Sequence, residues 1–392
     1  MVNVYFIARN IPFHRAPMYG DTAISLETIL CISKYTNLKP CVIVTYSNRL
    51  SQKELRNIRL HALHIGCNLY TIRCRGSSLE ETMKVLEKLL NLRNNECTTI
   101  VHILNVREPI TVFMKLIKLL TKSICIKHVY MKPLGSWITQ RSYYALCRIL
   151  DSIDAFITTT KYLRTQLLEL GIDKGRIFTI YPPVDHNFYR PLEDLKELKV
   201  KRTRKLILYI GSLNAMRFPL REILEALKKI RKCNRIELLV VTRGSRSDIE
   251  WALRLLKESR KRGLDVSVFA GYLPPSKRVL LYNLADVYLY LCRVPLDVVD
   301  PPLSVLEAMS CECVVVAHKV QSIPEFIING TNGIIVDNLD PEIIADAIER
   351  ALYENSSVKL GHNARRTIIS CFNRTHYVRK LLNLYKRLVH GR

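Results

Sequence analysis

What this chain lacks narrows it first. Its 12 cysteines contain no Cys-x-x-Cys pair, and the one close pair, Cys311-x-Cys313, straddles a helix-to-strand junction. That spacing argues against a zinc site, and cysteines scattered through apolar runs read as small buried hydrophobes in a reducing compartment. No Asp-x-Asp occurs, so the simplest paired acids for a divalent cation are absent. No apolar run approaches ~18 residues, so no stretch is expected to span a bilayer as a helix. Met1–Ile7 is short and Arg9 follows closely, which is not the pattern of a signal peptide. Aromatic residues are only 8% of the chain, and basic segments interleaved with aromatics, the mark of many RNA binders, are missing. Acidic residues are scarce too: 35 Asp and Glu stand against 60 Lys and Arg, a net charge of +25. Such a balance favours anionic partners, whether phosphorylated ligands, nucleic acid or an anionic membrane surface. What remains is ordinary globular composition, 48% hydrophobic and 24% charged over 392 residues, enough for about two domains with separate cores.

The first half alternates strand-like and helix-like segments. Val2–Ala8, Cys41–Tyr46, Asn68–Arg73, Thr99–Leu104, Ile124–Met131, Ala155–Thr160 and Arg176–Tyr181 read as strands. Thr22–Ser33, Gln52–His64, Ser78–Leu92, Ile110–Thr121, Thr139–Ile149 and Leu163–Leu170 read as helices between them. His186–Thr203 holds Pro191 and a dense charged tract, and it reads as a connection. The alternation then restarts at Leu206–Ile210 and runs to Gly333–Val336, followed by a helix over Pro341–Tyr353 and a tail with helical spacing. Repeated units of this length predict an α/β fold of two doubly wound parallel sheets, with ligands at the carboxyl ends of the strands.

One stretch organises the second half: Asp300-Pro-Pro-Leu-Ser-Val-Leu-Glu307-Ala-Met-Ser-Cys, followed by the β-branched run of Cys313–Ala317. It reads as a loop, a helix N-terminus, a short helix and a buried strand. A helix start presents free N–H groups and a positive dipole end, which suits a phosphate. Glu307 has two readings. It holds a ribose hydroxyl beside a bound diphosphate, or it closes a Ser304-x-x-Glu307 capping box. Glu307→Gln separates them: the capping reading predicts near silence, and the ribose reading predicts weaker ligand binding with little change in melting temperature.

These residues resemble the retaining, nucleotide-sugar-dependent glycosyltransferases of family 4, within the group 1 glycosyl transferases. Glu307-Ala-Met-Ser-Cys-Glu-Cys-Val-Val-Val-Ala317 is similar to that family's Glu-Ala-Met-Ala-Cys-Gly-x-Pro-Val-Val-Ala. Ser322-Ile-Pro-Glu325 resembles its Gly-Ile-Pro-Glu, Asn329-Gly-Thr-Asn-Gly333 its Asp-Gly-x-Asn-Gly, and Ala285-Asp-Val287 its Ala-Asp-Val. Tyr181-Pro-Pro-Val-Asp185 with Phe188 and Arg190-Pro191 is similar to its interdomain segment. The resemblance implies the GT-B fold: two Rossmann-like domains facing a cleft, with a C-terminal helix crossing back to the first. The expected parts are an acceptor-side domain over 1–186, a donor-side domain over 187–365 and the returning helix over 366–392.

The resemblance also implies a site. Tyr209-Ile-Gly-Ser-Leu-Asn-Ala-Met-Arg217 is similar to the family's phosphate clamp, so Gly211, Ser212 and Arg217 fall on the donor diphosphate, with Arg217 in the place of a lysine. Ser212 stands where the clamp has an arginine. Glu307 matches the second acid of the family's Glu-x7-Glu; the first falls on Val299, and Asp300 is the nearest carboxylate. Pro302 has no N–H, which leaves Leu303 and Ser304 as the phosphate donors. Gly20, Asp21 and Lys132 take the acceptor or sugar side. Asp300, Glu307 and Arg217 are thus the residues expected to carry catalysis, with no metal and no cofactor. The implied partners are a nucleotide diphosphate sugar and a glycan or polyprenyl-phosphate-linked acceptor.

Three readings of function follow. The resemblance implies a retaining hexosyltransferase. The departures at Val299 and Ser212 leave open a silent relative that binds a sugar nucleotide or scaffolds a complex. Charge alone suggests a nucleic-acid binder, which the lack of RNA motifs disfavours. The lysine-rich helix around Thr111–Lys122 reads as a core helix with a solvated face, or as an interfacial helix on anionic lipid. The expected location is cytoplasmic, with peripheral attachment to the inner face of the membrane as an extension.

Overall fold

A computed structural model describes residues 2–9, 20–46, 56, 62–63, 66–73, 78–92, 97–104, 114–129, 151–213, 217–230, 235–242, 245–261, 263–293, 299–354 and 356–391. The expected helix over Thr139–Ile149, most of Gln52–His64, and Lys132 lie outside them. The chain divides into two compact units, Met1–Pro183 with Arg374–Arg392, and Val184–Asn373.

The first unit is built on a seven-stranded parallel sheet. Its strands are β1 (Val2–Arg9), β2 (Cys41–Tyr46), β3 (Asn68–Arg73), β4 (Thr98–Ile103), β5 (Ile124–Val129), β6 (Ala155–Thr158) and β7 (Ile177–Thr179), in the order β3-β2-β1-β4-β5-β6-β7. These strands read as almost unbroken apolar runs because a parallel sheet is covered on both faces. Phe6, Val42, Val44 and Ile126 fill one face, while Ile7, Ile43, Val101 and Cys125 fill the other. The helices are α1 (Gly20–Tyr35), α2 (Ser78–Leu92), α3 (Met114–Thr121) and α4 (Lys161–Glu169). Thr160 caps α4 by accepting the Leu163 N–H at 3.1 Å.

The second unit carries a six-stranded parallel sheet: β8 (Lys205–Gly211), β9 (Ile236–Thr242), β10 (Asp265–Ala270), β11 (Val287–Tyr290), β12 (Val314–His318) and β13 (Ile334–Val336), in the order β10-β9-β8-β11-β12-β13. Its helices are α5 (Glu193–Lys201), α6 (Leu220–Lys229), α7 (Arg246–Lys261), α8 (Pro275–Leu284), α9 (Leu303–Ser310), α10 (Ile323–Phe326), α11 (Pro341–Tyr353) and α12 (Ser357–Cys371). The strand order reverses between β8 and β11, which pair in parallel through Val287 with Ile207 and Tyr288 with Leu208. That reversal opens a crevice at the carboxyl ends of the two strands.

The charged tract after Leu192 departs from its reading as a connection. It folds as α5, against α8: Lys199 Nζ donates to the Ala285 carbonyl at 2.6 Å, and the Leu192 N–H donates to Asn283 Oδ1 at 2.8 Å. Glu193 and Asp194 lie in its first turn and Lys199 and Lys201 in its last, the order a helix dipole favours. Asp286, inside the Ala-Asp-Val match, accepts the Leu206 N–H at 2.8 Å and pairs with Arg202 and Lys205. That residue fastens the start of β8. Asn332 likewise serves the fold, accepting the Ile328 N–H at 2.6 Å and donating to the Phe326 carbonyl and to Thr367.

The last helix, α13 (Arg374–His390), packs within the first unit. Tyr377, Val378, Leu381, Leu384 and Tyr385 join Ile29 and Ile32 in its core. Arg374 makes a two-pronged ion pair with Glu27, at 2.9 and 3.0 Å from Nη2. Tyr385 reaches further, its hydroxyl 2.7 Å from His102 Nδ1, while His102 Nε2 lies 3.2 Å from His128 Nδ1. Both histidines are essentially buried. Burial, with Lys127 nearby, lowers His102 from 6.5 to about 3 and holds His128 well below its ordinary range, where His102 also acts on it. The unfolded chain therefore binds more protons than the folded one below about pH 6.5, so stability rises with pH in that window. It is intact above about pH 6.5 and is lost as pH falls toward about pH 3. His102 alone is expected to remove about 2 kcal/mol between about pH 6.5 and about pH 5, and His128 acts in the same direction. Acid titrations followed by circular dichroism check this, with His102→Gln flattening the slope; an unchanged slope would dissociate the acid sensitivity from this network.

Candidate donor site of the second unit

The site is built where β8, β11 and α9 end or begin. β8 finishes at Gly211, and a Cβ there would lie 2.5 Å from Tyr209 Oη. Only glycine lets the Tyr209 phenol fold back beneath the turn and donate to the Ser212 carbonyl at 3.0 Å. Tyr209 stacks on Phe218 with ring centroids 3.8 Å apart, so the turn between them is braced from below. Arg217 is held by its backbone, its carbonyl accepting the Arg293 N–H at 2.8 Å. Its half-buried guanidinium makes no hydrogen bond or ion pair with a described residue.

Across the crevice, Tyr288 of β11 donates to the Ile210 carbonyl at 3.0 Å, and the Ser304 side chain lies close enough to act on the same phenol. This chain of contacts ties the end of β8 to the first turn of α9. Pro302 is the N-cap of α9 and makes no side-chain capping bond. Intrahelical bonding begins at Val305, whose N–H donates to the Pro302 carbonyl at 3.0 Å. Leu303 and Ser304 precede it, half-buried, at the positive end of the helix. Gly211, Ser212, Arg217, Leu303 and Ser304 therefore all sit on elements that meet at this crevice.

Glu307 does not close a capping box. It is 8% exposed and faces α8, where Arg278 Nη2 donates to its Oε1 at 3.0 Å and the Tyr282 hydroxyl donates to its Oε2 at 2.9 Å. Arg278 Nη2 also donates to the Tyr189 hydroxyl at 2.6 Å. Burial alone would lower the Arg278 guanidinium, and Glu307 beside it reverses the sign, so its charge is held more firmly than usual. The sequence reading missed Arg278 and Tyr282, although their spacing of four on one helix places them on one face. Asp300 is fully buried, and its Oδ1 accepts the Ser322 hydroxyl at 2.5 Å and the Ser322 N–H at 3.4 Å. Two departures from the family pattern thus meet in one contact: an acid at 300 and a serine at 322. In the first unit, Gly20 and Asp21 open α1. The Asp21 side chain and Lys132 lie outside the described residues.

A fold of two Rossmann-like units with this crevice defines a class, and comparison with known proteins shows what the chain is similar to. Residues 192–367 match the family described as glycosyl transferases group 1. An uncharacterized glycosyltransferase of Methanocaldococcus jannaschii is 23% identical over 266 residues, 67% of this chain and 63% of that one. The D-inositol 3-phosphate glycosyltransferase of Acidothermus cellulolyticus is 28% identical over 214 residues, 52% of this chain and 47% of that one. The chain thus spans about half to just under two thirds of these relatives. The structure of Anabaena HepE in complex with UDP and glucose superposes with a TM-score of 0.75 over 97% of this chain and 99% of that chain, at 13% identity. The fold is GT-B.

Proposed function

We propose that the protein is a retaining glycosyltransferase that moves a hexose from a nucleotide diphosphate sugar to a glycan or lipid-linked acceptor. The observation that carries the reading is Arg217, an arginine without a side-chain partner among the described residues, beside the turn that ends β8. A guanidinium in that position suits a diphosphate, which it meets with a planar fork. The N–H groups of Leu303 and Ser304 and the dipole of α9 add positive potential where leaving-group charge develops. Glu307, aligned by Arg278 and Tyr282, keeps further acceptor capacity for ribose hydroxyls. Gly20, Asp21 and Lys132 enter the same reading as acceptor-side residues. The solved complex of HepE with UDP and glucose supports a nucleotide sugar as the donor.

The setting is proposed to be the cytoplasm, with contact to an anionic membrane surface where a polyprenyl-phosphate-linked acceptor would lie. Leu119 and Leu120 of α3 are exposed by 66% and 45%, and Lys122 is exposed beside them. Lys118 is engaged with Asp154 at 2.8 Å. Among the described residues, no helix is long and apolar enough to cross a membrane.

One observation favours a second reading, a relative that binds a sugar nucleotide without turnover. Val299 stands in the place of the first acid, and Asp300 is buried against Ser322. Incubating the full chain with nucleotide sugars and polyprenyl-phosphate acceptors decides between them. Release of nucleoside diphosphate coupled to glycosylated acceptor is the expected result. Saturable binding with no release would select the silent relative, and neither would remove both.

A further inference from the structure

Two polar groups lie at the switch between β8 and β11 without a partner among the described residues. One is the Arg217 guanidinium. The other is the phenol of Tyr290, the last residue of β11, which is 9% exposed and whose hydroxyl is buried with no hydrogen-bond partner. Tyr288, two residues earlier and on the same face of the strand, shows the ordinary outcome here: its hydroxyl donates to the Ile210 carbonyl. A buried hydroxyl left unpaired costs stability, and the great majority of such groups find a partner. Burial and then Cys292 raise the Tyr290 phenol, so it stays protonated and remains a donor, and Arg217 and Asp300 are close enough to act on it. The Asp300 carboxylate is engaged with Ser322. A fixed O–H donor beside an uncommitted guanidinium, at the carboxyl end of the strands where the order reverses, suits an anionic oxygen.

We infer that the Tyr290 hydroxyl donates a hydrogen bond to the donor diphosphate alongside Arg217, as a binding residue of this site. This rests on the nucleotide-sugar reading above. Nothing in the composition of β11 marks Tyr290, because an aromatic in an apolar strand reads as core.

The test is calorimetry of the full chain with UDP, GDP, ADP and dTDP, and with inorganic pyrophosphate as a competitor, beside urea unfolding. Tyr290→Phe keeps the ring and removes only the hydroxyl. It is expected to weaken nucleoside diphosphate and pyrophosphate binding by about tenfold or more, the usual weight of a hydrogen bond to a charged group. The urea midpoint is expected to hold or rise, since an unpaired buried hydroxyl is removed. Unchanged affinity in Tyr290→Phe, with Arg217→Ala weakened, would overturn the role of Tyr290 alone. Weaker nucleotide binding with pyrophosphate unaffected would overturn the diphosphate as its partner. A lowered midpoint accompanying the weaker binding would assign the hydroxyl to the fold and overturn the inference. A wild-type chain that binds none of these ligands would overturn the inference together with the reading it rests on.

Discussion

Replacing Glu307 by alanine is expected to destabilise the protein by about 3–5 kcal/mol, the usual cost of removing one partner from a buried ion pair. The side chains concerned are mostly buried, Arg278 19% exposed and Glu307 10%. Truncation leaves the Arg278 guanidinium with the Tyr189 hydroxyl and no counter-charge. It also leaves the Tyr282 hydroxyl without its acceptor. Glu307→Gln keeps an oxygen for one of the two donors and loses the charge, so a smaller cost of about 1–2 kcal/mol is expected. That corrects the expectation drawn from sequence, in which the glutamine variant leaves the melting temperature almost unchanged. The double replacement Arg278→Met with Glu307→Leu should recover much of the loss, since well-packed apolar residues often replace such a pair at little cost. Urea denaturation of the four chains measures this. A silent Glu307→Ala would show that the pair is not closed in solution.

Arg217→Ala is expected to act in the opposite way. It should weaken nucleotide-sugar binding by about 1.5–3 kcal/mol, the range for a hydrogen bond to a charged group. It should leave the unfolding midpoint within about 0.5 kcal/mol of wild type, as a surface substitution does. The asymmetry follows from partners: Glu307 has two on α8, and the Arg217 guanidinium has none among the described residues. Arg217→Lys should recover part of the binding, because an ammonium keeps the charge and loses the planar fork. A large drop in stability for Arg217→Ala would move this residue from ligand binding to structure.

Much of the fold was legible in the chain because parallel strands buried on both faces read as unbroken apolar runs. Val4 to Ala8, Cys41 to Tyr46 and Val314 to Ala317 are of this kind, and each is a strand core. The tract after Leu192 was misread because charge density resembles a linker. Its lysines have partners on and after α8, at Ala285 and Asp286, which local composition does not reveal. Glu307 stood out in the sequence from its neighbours, and its partner did not. Arg278 lies 29 residues upstream and meets Glu307 only when α8 packs beside α9. Asp300 shows the same limit. The acid next to Val299 is visible in the chain, but its engagement with Ser322, 22 residues on, is a fact of folding. Tyr290 was invisible for a third reason, since only an unpaired hydroxyl distinguishes it from the core tyrosines around it.

The central claim is that the second unit binds a donor diphosphate at the turn after β8. The measurement that addresses it is a calorimetric titration of wild type and Arg217→Ala, side by side, with a panel of nucleoside diphosphates and their sugars. The expected result is one saturable site for at least one nucleotide in the wild-type chain, weakened about 10- to 150-fold in the variant. Equal affinity in the two chains, or no binding of any nucleotide by wild type, would contradict it.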